Sequence, residues 1–123
     1  MIAADSSSLR RYFDGKLGVD VDRVARAIAK DDVILPPVVV AETLSDAALP
    51  PPFEVMIKSL RLLELNPGYW VRSGELRANT LREGYKAKLA DVLIAQSCID
   101  HDIVLITNDA DFRHFIRAGL KLA

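Results

Sequence analysis

A chain of 123 residues, half of them apolar and 27% charged, suffices for one aliphatic core and falls short of two ordinary domains. The formal net charge of −1 excludes a strongly basic protein that coats nucleic acid over its whole surface, although an acidic centre with a basic rim sums to the same value. The lone Cys98 excludes an internal disulfide and reads as a reduced, buried thiol suited to the cytoplasm. The first residues, MIAADSSSLRRYF, lack a secretory-signal pattern, and no apolar run approaches the ~20 residues that cross a bilayer.

In chain order, Ile2–Ala4 reads as a short buried strand that ends in Asp5 and opens into a helix capped by Ser6 or Ser7. Gly15 and Gly18 close that helix. A second, amphipathic helix begins near Asp20 or Asp22 and carries Val21, Val24 and Ile28 at helical spacing. Val33–Leu35 is a further buried strand, stopped by Pro36 and Pro37. Pro37 suits the first turn of a helix running from Val38 to about Ala47, which carries Glu42 and is ended by the Pro50–Pro52 run.

Phe53, Met56, Ile57, Leu60 and Leu63 then repeat at helical spacing, with Leu62–Leu65 open as a short strand instead. This apolar stripe is either core or the face of a dimer. Asn66–Pro67 predicts the start of a helix that reaches Gly84. Leu89–Ile99 is apolar nearly all round, as a buried helix is, and Ile103–Thr107 is a strand without polar alternation. A helix with Phe112, Phe115 and Ile116 follows, then an edge strand at Leu120–Leu122. Strands alternating with helices, without repeat or linker, predict one α/β domain over residues 1–123. Its parallel β-sheet is flanked by α-helices in three layers, α/β/α.

Ligands of such sheets gather outside the carboxyl ends of the strands. Asp5 and Asp109 follow predicted strands, Asp91 opens the buried helix and Glu42 lies in the helix after Val33–Leu35. Each aspartate on its own is better explained as a helix-start residue. Glu42 is different, because it follows the wholly apolar stretch Pro36–Ala41 and a buried glutamate needs a partner. Four converging carboxylates repel one another unless a cation neutralises them. His101, His114 and Cys98 form no zinc-type spacing, so the donors are all oxygen, which favours Mg²⁺ or Mn²⁺.

Four segments in order, Ile2–Ser7 (IAADSS), Leu35–Leu44 (LPPVVVAETL), Leu89–Ala95 (LADVLIA) and Val104–Phe112 (VLITNDADF), make the chain similar to the PIN-domain ribonucleases. Within them it resembles the VapC-like toxins of toxin–antitoxin pairs. The resemblance implies Mg²⁺- or Mn²⁺-dependent endoribonuclease activity, with cleavage of RNA leaving a 5′-phosphate and a 3′-hydroxyl. It implies an acidic centre of Asp5, Glu42, Asp91 and Asp109, with Ser7 and Thr107 as supporting hydroxyls. Metal would be held by Asp5, Asp91 and Asp109, with Glu42 and Asp111 as further candidates; Glu42 either completes the shell or orients the attacking water. The resemblance also implies a homodimer and a small antitoxin partner.

Charge near this centre makes Arg10, Arg11, Lys86, Lys88 and Arg113 the RNA-binding candidates, with Lys16, Arg72, Arg77, Arg82 and Arg117 behind them. Arg10 and Arg11 stand where many relatives carry apolar residues. Two other readings stay open. One is a Mg²⁺-dependent phosphatase or phosphotransfer domain, for which Ser7 stands where a second aspartate is wanted. The other is a non-catalytic PIN-like binding module, whose usual sign is loss of the acidic residues.

Overall fold

The computed structural model describes residues 1–123. Five short strands form its centre: β1 (Ala3–Ala4), β2 (Ile34–Leu35), β3 (Arg61–Leu62), β4 (Val104–Ile106) and β5 (Lys121–Leu122). Between them lie α1 (Ser6–Phe13), α2 (Val19–Ala29), α3 (Pro37–Leu44), α4 (Pro51–Ser59), α5 (Tyr69–Arg82) and α6 (Leu89–Asp100), and a 3-10 helix spans Ala110–Ala118.

All pairings are parallel. β1 aligns Ala3 with Leu105 and Ala4 with Ile106 of β4, and β4 in turn aligns Val104 with Lys121 and Leu105 with Leu122 of β5. β2 pairs with β3, and a bridge between Ile2 and Val33 joins the two sets. The strand order is therefore β3-β2-β1-β4-β5. From β1 the chain moves outward through β2 and β3, then returns to the other side of β1 for β4 and β5. That reversal falls between β1 and β4, where a parallel sheet opens a crevice at its carboxyl edge. The predicted parallel α/β architecture is what the chain adopts.

One hydrophobic core lies against these strands. It includes Leu9 of α1, Val24 of α2, Val39 of α3, and Val92, Ile94, Ala95 and Cys98 of α6. Phe112 and Phe115 close it from the 3-10 helix, packed edge to face at 6.1 Å. Burying each such ring stabilises the fold by roughly 1.5–3 kcal/mol. Tyr69, buried at the start of α5, donates its hydroxyl to the Leu93 carbonyl at 2.7 Å and ties α5 to α6. Cys98 is free and buried, and burial pushes its thiol up to about 12. No helix is long and apolar enough to cross a membrane.

Several element boundaries differ from the sequence expectation. Asp5, not a serine, caps α1: its carboxylate accepts the Ser8 N–H at 2.9 Å. α3 stops at Leu44 rather than Ala47, and the proline run opens the next helix, with prolines in the first turn of α4 where a missing N–H costs nothing. α5 starts at Tyr69, behind Gly68 in the left-handed region at φ 83°, instead of at Asn66–Pro67. Of the stripe Phe53–Leu63, the helix itself buries only Ile57; Phe53 stacks on Phe13 at 4.3 Å. The last helix is 3-10 and ends on Gly119 at φ 112°, which turns the chain directly into β5.

Candidate active site

The site is assembled from the ends of β1 and β4. The Asp5 N–H donates to the Ile106 carbonyl at 3.1 Å, so the two strand ends are laced together where Asp5 leaves β1. Asp5 is 2% exposed. Three donors converge on it: the Ser7 hydroxyl at 2.8 Å, the Ser8 N–H at 2.9 Å and the Thr107 hydroxyl at 2.6 Å. Burial raises the pKa of Asp5 above the ordinary carboxylate range, these three hydrogen bonds pull it back, and nearby Asp109 adds to the rise. A buried carboxylate with three donors is a fixed object.

The same hydroxyls reach the β4 loop. Thr107 Oγ1 accepts the Asp109 N–H at 3.0 Å while donating to Asp5. Ser7 Oγ accepts the Asn108 N–H at 3.4 Å while donating to Asp5. The loop after β1 and the loop after β4 are thus stapled through two side chains. Asp109 caps the 3-10 helix, taking the Asp111 N–H at 2.9 Å.

Glu42 is half-buried on α3, and its Oε1 accepts the Ser6 hydroxyl at 3.0 Å. Its apolar approach in sequence had pointed to a buried carboxylate; α3 instead turns it toward a cavity of about 280 Å³ that it shares with Ser6, Ser7, Arg10 and Thr43. Asp91 sits in the first turn of α6, and its carboxylate takes part in none of the hydrogen bonds or ion pairs of the fold. Burial, then the charge of Asp109, then those of Glu42 and Asp5 raise its pKa to about 6, against an opposing pull from Lys88. Four acidic residues far apart in sequence therefore act on one another in space. Asp111 gives its N–H to Asp109 in the first turn of the 3-10 helix.

These donors suit a hard divalent cation, since every one is an oxygen and Asp91 carries a repulsion that a cation relieves. No three His, Cys, Asp or Glu side chains stand close enough to enclose an ion as placed. Asp5, Glu42 and Asp109 are each held by hydrogen bonds, and Asp91 alone is free to turn.

Among the basic candidates, Arg113 lines a cavity with Thr107, Asn108 and Asp109. Lys88 is close enough to act on Asp91. Arg10 lies beside Glu42 but is paired with Asp46 at 2.6 Å. Lys86 lends its carbonyl to His114, 3.2 Å from Nδ1. Arg11 is taken up by buried Asp20 at 3.0 Å and by the Leu17 carbonyl at 2.8 Å, so it is not available to a phosphate. Arg72 is committed to Asp100, Arg77 to the Ala87 carbonyl and Arg117 to Glu83. Sequence reading missed Ser6, whose only signal was a third hydroxyl beside Asp5. It also missed Asn108, whose contribution is a backbone N–H and leaves no trace in residue type.

A parallel sheet with a carboxylate cluster at its reversal point defines a class of α/β domains with an acidic active edge. The profile of the PIN domain family matches residues 2–117, and the chain belongs to that family. Among solved structures it is similar to VapBC2 from Rickettsia felis bound to a DNA fragment from their promoter. There the TM-score is 0.73 at 20% identity, covering 100% of this chain and 98% of the other. It is similar also to FitAB bound to an IR36 DNA fragment, with a TM-score of 0.71 at 19% identity, covering 100% of this chain and 94% of the other. At those identities the likeness is one of fold. No curated protein matches the sequence.

Proposed function

We propose that this PIN domain is a Mg²⁺- or Mn²⁺-dependent endoribonuclease, the toxin of a toxin–antitoxin pair that works in the cytoplasm as a homodimer with a small antitoxin partner. The observation that carries the nuclease reading is Asp91: an unpartnered carboxylate, raised to about 6 by burial and by Asp109, Glu42 and Asp5, at the carboxyl edge of the sheet. A charge left in that state is one a bound cation stabilises. The toxin and antitoxin part rests on family membership and on likeness to two complexes described as VapBC2 and FitAB.

Asp5, Asp91 and Asp109 would hold the cation, with Glu42 and Asp111 as further ligands. A divalent cation there supplies polarisation of the scissile phosphate and a bound water of lowered pKa. Ser7 and Thr107 keep Asp5 from rotating. Glu42, steadied by Ser6, completes the shell or accepts the proton of the attacking water. Attack at phosphorus breaks the bond to the 3′ oxygen, which leaves with a proton as a 3′-hydroxyl and gives a 5′-phosphate on the other fragment. Lys88 and Arg113, with Lys86 and Arg10 further out, meet the phosphates of the strand.

Expression in a bacterium tests the reading. Wild type is expected to arrest growth and to yield new RNA 5′ ends by end-mapping; Asp91→Asn is expected to do neither. Equal growth of both strains, with protein present, would remove the toxin assignment. One observation favours a second reading, a module that binds without hydrolysis: the carboxylates stand apart as placed. That reading predicts RNA binding indifferent to both metal and Asp91.

A further inference from the structure

The cations of this protein are unevenly spent. Of its 16 lysines and arginines, nine engage an acceptor within the fold. Seven do not, and three of those lie together. Arg23 and Arg26 on the exposed face of α2, with Lys30 at its C-cap, stand at i, i+3 and i+7 and line one cavity of about 250 Å³. Helical rise spreads them over roughly 10 Å of a single face. The carboxylate that shares the cavity, Asp32, is already 3.1 Å from the main-chain ammonium of Met1. Three free cations outnumber the acidic groups of the hollow, the engaged Asp32 and the main-chain carboxylate of Ala123, and leave it net positive.

Its position gives it meaning. Ala123 lines this cavity and also the neighbouring one of about 250 Å³ formed by Thr107, Asn108, Asp109 and Arg113. The second cavity includes Asp109 of the acidic centre. A path therefore runs from Asp109 past Arg113, across the end of β5 and onto the basic face of α2, with unpaired cations along its length. We infer that Arg23, Arg26 and Lys30 form an exit track for a single-stranded RNA, gripping phosphates of the strand beyond the scissile bond. This rests on the ribonuclease reading and deepens it: the enzyme would act on strands long enough to reach α2 and would favour them over short oligonucleotides. The occupant is a polyanion of even charge rather than an acidic peptide, because the track adjoins the cavity of Asp109 and Arg113 and presents its cations at regular helical spacing.

The test measures binding of a 20-nucleotide single-stranded RNA in chelator across a salt series, for wild type, for the triple variant Arg23→Ala/Arg26→Ala/Lys30→Ala, and for Lys58→Ala as an exposed control. Losing three phosphate contacts is expected to flatten the slope of log K against log salt by about 2. Affinity at low salt should fall more than tenfold, with the control unchanged. A triple variant with the wild-type slope, or a wild type that does not bind the strand, overturns the track. Cleavage with Mn²⁺ separates the two proposals. The triple variant is expected to cut a tetranucleotide as fast as wild type and the 20-mer more slowly. A wild type that binds the 20-mer through these residues but cuts neither substrate would leave the track standing and remove the nuclease reading.

Discussion

At the scale of single residues, the site rests on hydroxyls as much as on carboxylates. Thr107 donates to Asp5 and accepts from the Asp109 N–H, so one side chain sets the spacing of two acidic positions. Thr107→Ala is expected to lower RNA cleavage by about 10–100-fold, as loss of groups that orient metal ligands does, at a cost of about 1 kcal/mol in stability. Thr107→Ser should restore most of the activity, which a merely structural role for the methyl group would not allow. Steady-state cleavage rates beside denaturant melts check both.

Asp91 carries the opposite balance. Its pKa is raised to about 6, above the unfolded value, so the folded state binds its proton more tightly than the unfolded state does. The sign follows: the folded protein gains as pH falls through about 6 toward 4 and bears an electrostatic penalty above that window. In metal-free protein, Asp91→Asn is therefore expected to raise Tm by a few degrees at pH 7.5 while abolishing cleavage, and the gain should vanish near pH 4. A Tm unchanged or lowered at pH 7.5 would contradict the repulsion assigned to it. Protons compete with the cation for the same oxygen, so activity should also fall as pH drops below about 6.

At the scale of elements, structure is legible in the sequence where a run of one character has one physical explanation. The apolar stretches at Ile2–Ala4 and Ile103–Thr107 had no polar alternation, and both are buried parallel strands. Leu89–Ile99, apolar all round, is the buried α6. Reading failed where two explanations shared the same residues. Prolines both stop and start helices, and Pro50–Pro52 starts α4. Asn66–Pro67 is a good cap on paper, yet Gly68 takes the left-handed turn and α5 begins after it. Nothing in residue type separates an α-helix from the 3-10 helix Ala110–Ala118, because Phe112 and Phe115 suit either as core residues.

Gly119 is the element-scale position most open to test. At φ 112° it sits where a side chain is strained, although an added Cβ would meet nothing nearer than Ile99 at 3.8 Å. Gly119→Ala is expected to cost about 1–2 kcal/mol through backbone conformation alone. Denaturant melts read the loss. The substitution should spare metal-dependent activity per folded molecule, because β5 lies one strand beyond the acidic edge. Arg11→Ala should behave similarly. It strips buried Asp20 of its main partner, whose charge and hydrogen bond, with Ser8, overcome burial and hold that carboxyl below its ordinary range. A loss of about 2 kcal/mol is expected, without loss of RNA binding.

At the scale of the whole molecule, the strand order β3-β2-β1-β4-β5 explains why residues 5 and 109 share one edge, within reach of the charges of Glu42 and Asp91. A chain that reverses direction across a parallel sheet exposes the ends of two adjacent strands with loops that part on opposite sides, and acidic residues placed after those strands face one crevice. Much of this was legible in the sequence as strand ends followed by aspartates. What was not legible is the allocation of charge. Along the chain ten cations are candidates for RNA, five of them near the centre. Only folding reveals that Arg11, Arg72, Arg77 and Arg117 are occupied and that Arg23, Arg26 and Lys30 are free.

The central proposal is that Asp5, Asp91 and Asp109 at this edge hold a divalent cation for RNA cleavage. Its most direct test is the rate at which purified protein cuts a single-stranded RNA in Mn²⁺, compared with the same protein in chelator and with Asp91→Asn in Mn²⁺. Cleavage by wild type in Mn²⁺ alone, falling at least a thousandfold (about 4 kcal/mol of barrier) under both other conditions, is the predicted result. Equal cleavage in chelator, or full activity in Asp91→Asn, would contradict the account.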